Sequence, residues 1–252
     1  LRYGTQDLPP DGSLPDLTWA GAERIEHAIL VGTPNAGSLH AFEQLLYGFD
    51  VGPFLPSYPA SVLGTMPSIY QLMPRSRHGV VRDSATGEAI DIFDAEVWIE
   101  NGWGLTDAPR DLRRLMPDAA SDEERRAIGI DHVRRCLARA KHFHRAIDVP
   151  ATPPAGLKLF LVAGDADLTE HAGEVRDGRF RFTEQQPGDG TVTRPSALMD
   201  ERVGGEWSPR LRSPIAWRDV TFLPEDHLGL TKSEAFANNV LYKLLEKPRE
   251  SR

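Results

Sequence analysis

Hydrophobic residues along the chain are concentrated in three short, nearly continuous runs, each followed at once by residues that end a strand. The runs are residues 27–32, 157–163 and 217–223, and Thr33-Pro34, Gly164-Asp165 and Pro224 stop them. Runs of this kind are typical of strands in a parallel sheet that is covered on both faces. The pattern predicts three buried strands of an α/β fold.

A helical pattern follows the third run. Apolar residues recur at helical spacing across residues 231–246, the segment begins with Thr and Ser, and Pro248 lies beyond its end. We therefore predict a terminal helix there. The order of strand, long insertion, strand, loop, strand and helix is that of the second half of an α/β layout.

The long insertion differs in character from the strands around it. Residues 39–73 are rich in Leu, Phe, Tyr and Pro, residues 91–106 hold Trp98 and Trp103, and residues 121–147 form a basic helix with a capping pattern at Ser121. A structureless loop of that length is implausible in a compact domain, so we predict an inserted helical cap.

The predicted organisation has three parts: residues 1–38 (the end of a helix, the first strand and its loop), the cap at 39–150, and the C-terminal core at 151–252. The apolar segment 39–73, which includes Phe54 and Leu55, has two interpretations. It forms either the ordinary core of the cap or a lid that receives an acyl chain, at about 0.8 kcal/mol per buried methylene.

Composition excludes several classes of function. The formal net charge of −8 argues against binding along a nucleic-acid backbone. No apolar run approaches the roughly 18 residues of a membrane span. The single cysteine, Cys136, excludes an intrachain disulfide and favours a cytosolic location without excluding export. On its basic helix Cys136 is expected to be half-buried; a thiol enzyme built on it would be inactivated by thiol reagents.

No metal site is predicted. His142 and His144 stand two positions apart, and residues at that spacing point in different directions on a helix. No carboxylate joins them at the spacing of a metal ligand. We interpret the region, with its run of arginines, as the solvated face of the cap helix.

Candidate acid–base residues follow the second and third strands. His227 lies between the third strand and the terminal helix, at the strand end where ligands meet an open α/β sheet. Its position alone fits both a catalytic base and an ordinary loop histidine. Asp189 lies between Gly188 and Gly190, in a tight turn that can present a carboxylate. Asp167, which comes soon after the second strand, is the alternative acid.

Four stretches, in order along the chain, resemble the lecithin–cholesterol acyltransferase-like family of α/β-hydrolases, including its bacterial lipase-like members. Residues 31–38 resemble its Gly-Thr-Pro-x-x-Gly-Ser loop, residues 68–74 its Tyr-Gln-Leu-Leu-Pro stretch, residues 188–192 its Gly-Asp-Gly-Thr-Val, and residues 226–230 the segment with its histidine. The resemblance implies that Asp189 and His227 are triad acid and base, that the substrate is a lipid-like or other apolar ester, and that no cofactor is involved.

The sequence departs from the family in one respect: it contains no Gly-x-Ser-x-Gly, the turn that exposes the nucleophilic serine. The family carries that turn upstream of the loop at 31–38, so the resemblance implies a nucleophile before Leu1, with residues 1–4 as the tail of its helix. Ser38 is a poor substitute because its setting fits a helix start.

Two expectations follow for the chain taken alone. We expect it to be inactive and poorly soluble, because the first strand would expose an edge that a missing strand covers. The alternative function is that of a non-catalytic binding module that uses the apolar surface of the cap.

Overall fold

The chain, whose computed structural model describes residues 1–52, 56–204 and 210–246, has an α/β fold. The strands are β1 His27–Val31, β2 Phe49–Asp50, β3 Ser57–Tyr58, β4 Val81–Asp83, β5 Lys158–Gly164, β6 Asp167–Arg176, β7 Arg179–Gly188 and β8 Trp217–Leu223. The α-helices are α1 Leu39–Tyr47, α2 Ala60–Leu63, α3 Pro67–Gln71, α4 Ala95–Asn101, α5 Pro109–Leu115, α6 Asp122–Ile147, α7 Arg194–Leu198 and α8 Glu234–Leu241.

The chain divides into two compact units. The first contains Leu1–Ala36, Arg145–Glu170 and Gln185–Arg252, and the second contains Gly37–His144 and His171–Glu184. The second unit thus holds most of the predicted cap and also the far part of strands β6 and β7, which the sequence analysis assigned to the C-terminal core. None of the helices in the described ranges combines the length and the apolar character needed to cross a membrane.

A parallel sheet in the order β1-β5-β8 organises the first unit. Its strands coincide with the three predicted runs, which confirms their positions. The predicted burial holds for β5, whereas β1 and β8 are mainly half-buried. The central strand β5 pairs with both neighbours and is buried from Phe160 to Gly164. Within the described residues β1 pairs with β5 alone, and all five of its residues are half-buried. The poor solubility expected from this edge stays a prediction.

Aromatic rings form the core of the second unit. Phe42 meets the rings of Trp98, Trp103 and Phe180 edge-to-face, at centroid distances of 6.0, 5.3 and 5.1 Å. The indole N–H of Trp98 donates to the carbonyl of Ile92 at 2.8 Å, and that of Trp103 donates to the carbonyl of Gly178 at 2.7 Å. Both indole N–H groups in this core therefore have partners, as burial requires.

The apolar segment 39–73 supplies much of this core, so the interpretation as ordinary core holds for its buried members. These are Leu39, Ala41, Phe42, Leu45, Leu63, Tyr70 and Met73. Other large apolar side chains of the segment are exposed, namely Tyr47, Phe49, Tyr58, Met66 and Leu72. Phe54 and Leu55 lie outside the described residues.

The long helix α6 begins where its capping pattern predicts. The N–H of Glu124 donates to Ser121 Oγ at 3.1 Å, while the Glu124 carboxylate accepts the N–H of Ala120 at 2.6 Å. Cys136 is buried rather than half-buried, and burial raises the pKa of its thiol to about 11. His144 is also buried, with Nε2 2.8 Å from the carbonyl oxygen of Gln71, so its assignment to the solvated face of the helix was wrong.

The terminal helix is shorter than predicted. Ser233 caps α8 by accepting the N–H of Phe236 at 3.1 Å, and the α-helix ends at Leu241, followed by a π-helical turn at Tyr242–Glu246. Lys243 takes the buried position in this turn because its ammonium lies 2.8 Å from the Asp219 carboxylate. Several predicted face residues are exposed instead, namely Leu241, Leu244 and Leu245. Pro248 lies outside the described residues.

Residues 1–4 carry no helical hydrogen bond in this chain, and their interpretation as the tail of a helix stays a prediction. They enter a turn in which Gln6 N–H donates to the Tyr3 carbonyl at 3.2 Å and Gly4 adopts a φ of 62°. A helical hydrogen bond joins residues four apart, so these four residues contain no pair that could form one.

Candidate active site

The loops that follow the hairpin β6–β7 and strand β8 bring Asp189 and His227 together. The carboxylate Oδ2 of Asp189 lies 2.9 Å from Nδ1 of His227. A backbone bond reinforces this contact, because the His227 N–H donates to the Asp189 carbonyl at 2.8 Å. The two residues, 38 positions apart in sequence, are therefore held by both side-chain and main-chain contacts.

The second carboxylate oxygen of Asp189 is occupied by its own turn. Oδ1 accepts the N–H groups of Thr191 at 3.0 Å and Val192 at 2.7 Å. The residue is 2% exposed, so these bonds form away from water. A carboxylate that accepts two backbone donors through one oxygen has a fixed orientation, which leaves Oδ2 directed at the imidazole.

Thr169 supports the same turn from strand β6. Its side chain is buried at 1% exposure, and its Oγ1 accepts the N–H of Gly190 at 2.8 Å. Gly190 has a φ of 85°, a conformation that L side chains rarely adopt, so a glycine suits this position next to the carboxylate. Thr169 was not identified from the sequence.

Glycines at two strand ends let the backbone approach the pair closely. A Cβ on Gly164, at the end of β5, would lie 2.7 Å from the Cβ of Asp189 and 2.3 Å from the carbonyl oxygen of Glu225. A Cβ on Gly32, after β1, would lie 3.4 Å from Cε1 of His227. All three strands of the parallel sheet thus end beside the Asp189–His227 pair.

The imidazole of His227 is suited to accept a proton. Its side chain is 34% exposed. The hydrogen bond to Asp189 raises the pKa of His227, and the charges of Asp189 and Asp226 act in the same direction, while burial opposes them. With Nδ1 facing the carboxylate, Nε2 is the nitrogen that can take a proton from a hydroxyl group.

Asp167 and Ser38, the alternative acid and the substitute nucleophile, have other structural positions. The side chain of Asp167 is exposed, and its backbone is bridged to that of Asp189, so it is a neighbour of the turn while Asp189 makes the bond to His227. Ser38 is the N-cap residue of α1 in the second unit, as its setting predicts, and its N–H donates to the Leu72 carbonyl at 2.8 Å. Over the described ranges, no group of three or more His, Cys, Asp or Glu residues could hold a metal ion.

Two further residues next to the pair were missed by sequence reasoning. Asp165 follows β5 and Arg194 begins α7, and Arg194 Nη1 lies 3.3 Å from Asp165 Oδ2. The sequence signal was slight, since Asp165 marked the end of a strand and Arg194 was simply the second residue after Val192. Their contact depends on the tertiary structure.

Among known proteins, solved structures resemble this chain, whereas family models and curated sequences do not match it. No protein-family model matches the chain, and no curated protein matches it. A chain in the crystal structure of the Tle4–Tli4 complex is similar, with a TM-score of 0.56 and 14% sequence identity. The match covers 92% of this chain and 56% of that one, so this chain spans little more than half the length of its neighbour. At this identity the likeness shows the fold alone.

Proposed function

We propose that this chain supplies the acid and the base of a serine α/β-hydrolase that hydrolyses or transfers the acyl group of a lipid-like or other apolar ester. The observation that carries the proposal is the 2.9 Å contact between the buried Asp189 carboxylate and the Nδ1 of the partly exposed His227. An imidazole oriented in this way is the general base of acyl-transfer sites.

In the proposed reaction a serine hydroxyl attacks the ester carbonyl, and His227 Nε2 takes the hydroxyl proton. The same nitrogen then delivers the proton to the alcohol oxygen as the ester bond breaks. The alcohol departs, and the acyl group remains on the serine as an acyl-enzyme. Asp189 holds the imidazole in the required tautomer and stabilises the imidazolium that forms. Water or a second alcohol then attacks the acyl carbon while His227 Nε2 accepts its proton. The bond between the acyl carbon and the serine oxygen breaks, and His227 returns the proton to that oxygen, which regenerates the free serine.

We propose that the nucleophile and the oxyanion-hole amides belong to residues upstream of Leu1. The chain contains no Gly-x-Ser-x-Gly, and in α/β-hydrolases the serine precedes the acid and the histidine. The resemblance to the lecithin–cholesterol acyltransferase-like family supports the same order. On this proposal no metal or organic cofactor takes part.

Exposed leucines next to the pair support an apolar substrate. Leu228, the residue after His227, is 77% exposed, and Leu168, the residue after Asp167, is 66% exposed. Both leucines belong to the first unit. A β-bridge joins the backbones of Asp167 and Asp189, and a backbone hydrogen bond joins Asp189 to His227. Apolar side chains at this rim would lose their contact with water when an acyl chain binds.

The test uses the polypeptide encoded when the reading frame is extended upstream of Leu1. Hydrolysis of a p-nitrophenyl ester is measured for the parent and for two variants. We expect Asp189→Asn to lower kcat by about 10⁴-fold and His227→Ala by about 10⁶-fold. Asp167→Asn, which alters the exposed neighbouring carboxylate, is the matched control and should retain activity. A fully active His227→Ala enzyme would end the assignment.

The second candidate is a non-catalytic binding module, favoured by the exposed apolar side chains of the second unit, such as Tyr47, Phe49 and Tyr58. It predicts that no Gly-x-Ser-x-Gly precedes Leu1 in the reading frame. It also predicts lipid or partner binding by the extended protein without ester turnover. The same kinetic experiment therefore decides between the two.

A further inference from the structure

Asp165 and Arg194 link the elements that carry the candidate acid and base. Asp165 comes directly after Gly164, and its N–H donates to the Leu223 carbonyl at 2.8 Å, which ties the end of β5 to the end of β8. Arg194 is the first residue of α7 and follows the Asp189 turn by a few residues. The Arg194–Asp165 ion pair therefore connects this turn with both strand ends.

Arg194 makes a second contact, with β8. Its guanidinium carbon lies 4.5 Å from the centre of the Phe222 ring, within the range of a cation–π interaction. Phe222 is five residues before His227 on the strand that leads into the His227 loop. Arg194, which follows the Asp189 turn, thus packs on β8, the strand that leads into the His227 loop.

Asp165 depends on Arg194 more than a surface carboxylate would. Its side chain is 26% exposed, and its Oδ1 is buried without a hydrogen-bond partner among the described residues. Its Oδ2 faces Arg194. If the guanidinium were removed, this half-buried carboxylate would lose its cation, and relaxation of the loops toward water would relieve the desolvation cost.

We propose that Arg194 is a positioning residue for the Asp189–His227 pair, acting through its ion pair with Asp165 and its packing on Phe222. As a role in catalysis this rests on the proposed function. Arg194 itself does not touch the substrate. It keeps the Asp189 turn and the end of β8 at the separation at which Oδ2 meets Nδ1.

The experiment is an NMR titration of His227 in the extended protein, in which Arg194→Met and Arg194→Lys are compared with the parent. Loss of a nearby positive charge by itself would raise the pKa of His227, whereas loss of the Asp189 hydrogen bond would lower it. Our proposal expects a lower pKa in Arg194→Met, which a charge effect alone cannot produce. Arg194→Lys, which keeps the charge but not the planar stacking group, should restore part of the shift.

The control is Arg24→Met, at an exposed arginine of the same unit, which should titrate like the parent. In the extended protein, Arg194→Met should lower kcat by about threefold to tenfold with little change in KM. If Arg194→Met changes neither the His227 titration nor kcat, the positioning role is wrong, even where hydrolysis still requires His227. If the titration shifts but the parent has no ester hydrolysis, the positioning geometry stands and the proposed function fails.

Discussion

Gly164→Ala should separate Asp189 from His227 without altering either residue. A Cβ at position 164 would lie 2.3 Å from the Glu225 carbonyl oxygen and 2.7 Å from the Cβ of Asp189. Ordinary contact requires about 3.5 Å, so one or both neighbours must move by about 1 Å. Glu225 precedes His227 by two residues, and Asp189 is the hydrogen-bond partner of His227. The displacement therefore acts on the 2.9 Å hydrogen bond between Asp189 and His227.

The cost of this substitution is that of overpacking, about 1–3 kcal/mol in the free energy of unfolding. For a chain of this size each kcal/mol lowers Tm by roughly 2–4 °C. The effect on catalysis is expected to be larger, because a displacement of about 1 Å at a reacting group costs about a hundredfold in rate. Urea unfolding followed by tryptophan fluorescence measures the first quantity, and ester hydrolysis by the extended protein measures the second.

Gly156→Ala is the matched control. Gly156 lies in the loop before β5 of the same unit, and a Cβ there would meet nothing within 4 Å. Its stability should change by no more than about 0.5 kcal/mol, and hydrolysis should be unchanged. Equal unfolding free energies and rates for the two alanine variants would refute the argument from close packing.

Two other predictions concern the same pair. Thr169→Val, which removes the acceptor of the part-buried Gly190 N–H, should lower the free energy of unfolding by about 0.5–1.5 kcal/mol. Thr169→Ser, which keeps a hydroxyl, should lose much less, and urea titrations that rank the two variants alike would show that the Gly190 bond is unimportant. The raised pKa of His227 stabilises the fold below the ordinary imidazole pKa of about 6.5, and this contribution is lost as the pH rises through the folded-state pKa. Asp189→Asn should therefore destabilise the chain more at about pH 5.5 than at about pH 9, and equal losses at both pH values would exclude a charged pair.

The sequence predicts the parallel sheet well and the β6–β7 hairpin poorly. β1 and β5 are nearly continuous apolar runs, a pattern typical of strands in a parallel sheet, and β5 at its centre is the buried one of the two. β6 and β7 are mainly polar, with few buried positions, so hydrophobicity does not mark them. A local signal was present: Asp177 and Gly178, both at positive φ, form the Asp-Gly turn that is typical of a two-residue hairpin.

The hairpin also explains why the order of the strands did not by itself identify which aspartate binds His227. Adjacent parallel strands end at the same edge of a sheet, so residues that follow β5 and β8 must meet there, and strand order alone favours Asp165 or Asp167 as the partner of His227. The two long strands of the hairpin carry the chain away and return it to this edge, where the backbone of Asp189 is bridged to that of Asp167. The turn that follows β7 supplies two N–H donors that orient the Asp189 carboxylate. The Gly-Asp-Gly motif therefore pointed to the residue that reaches the imidazole.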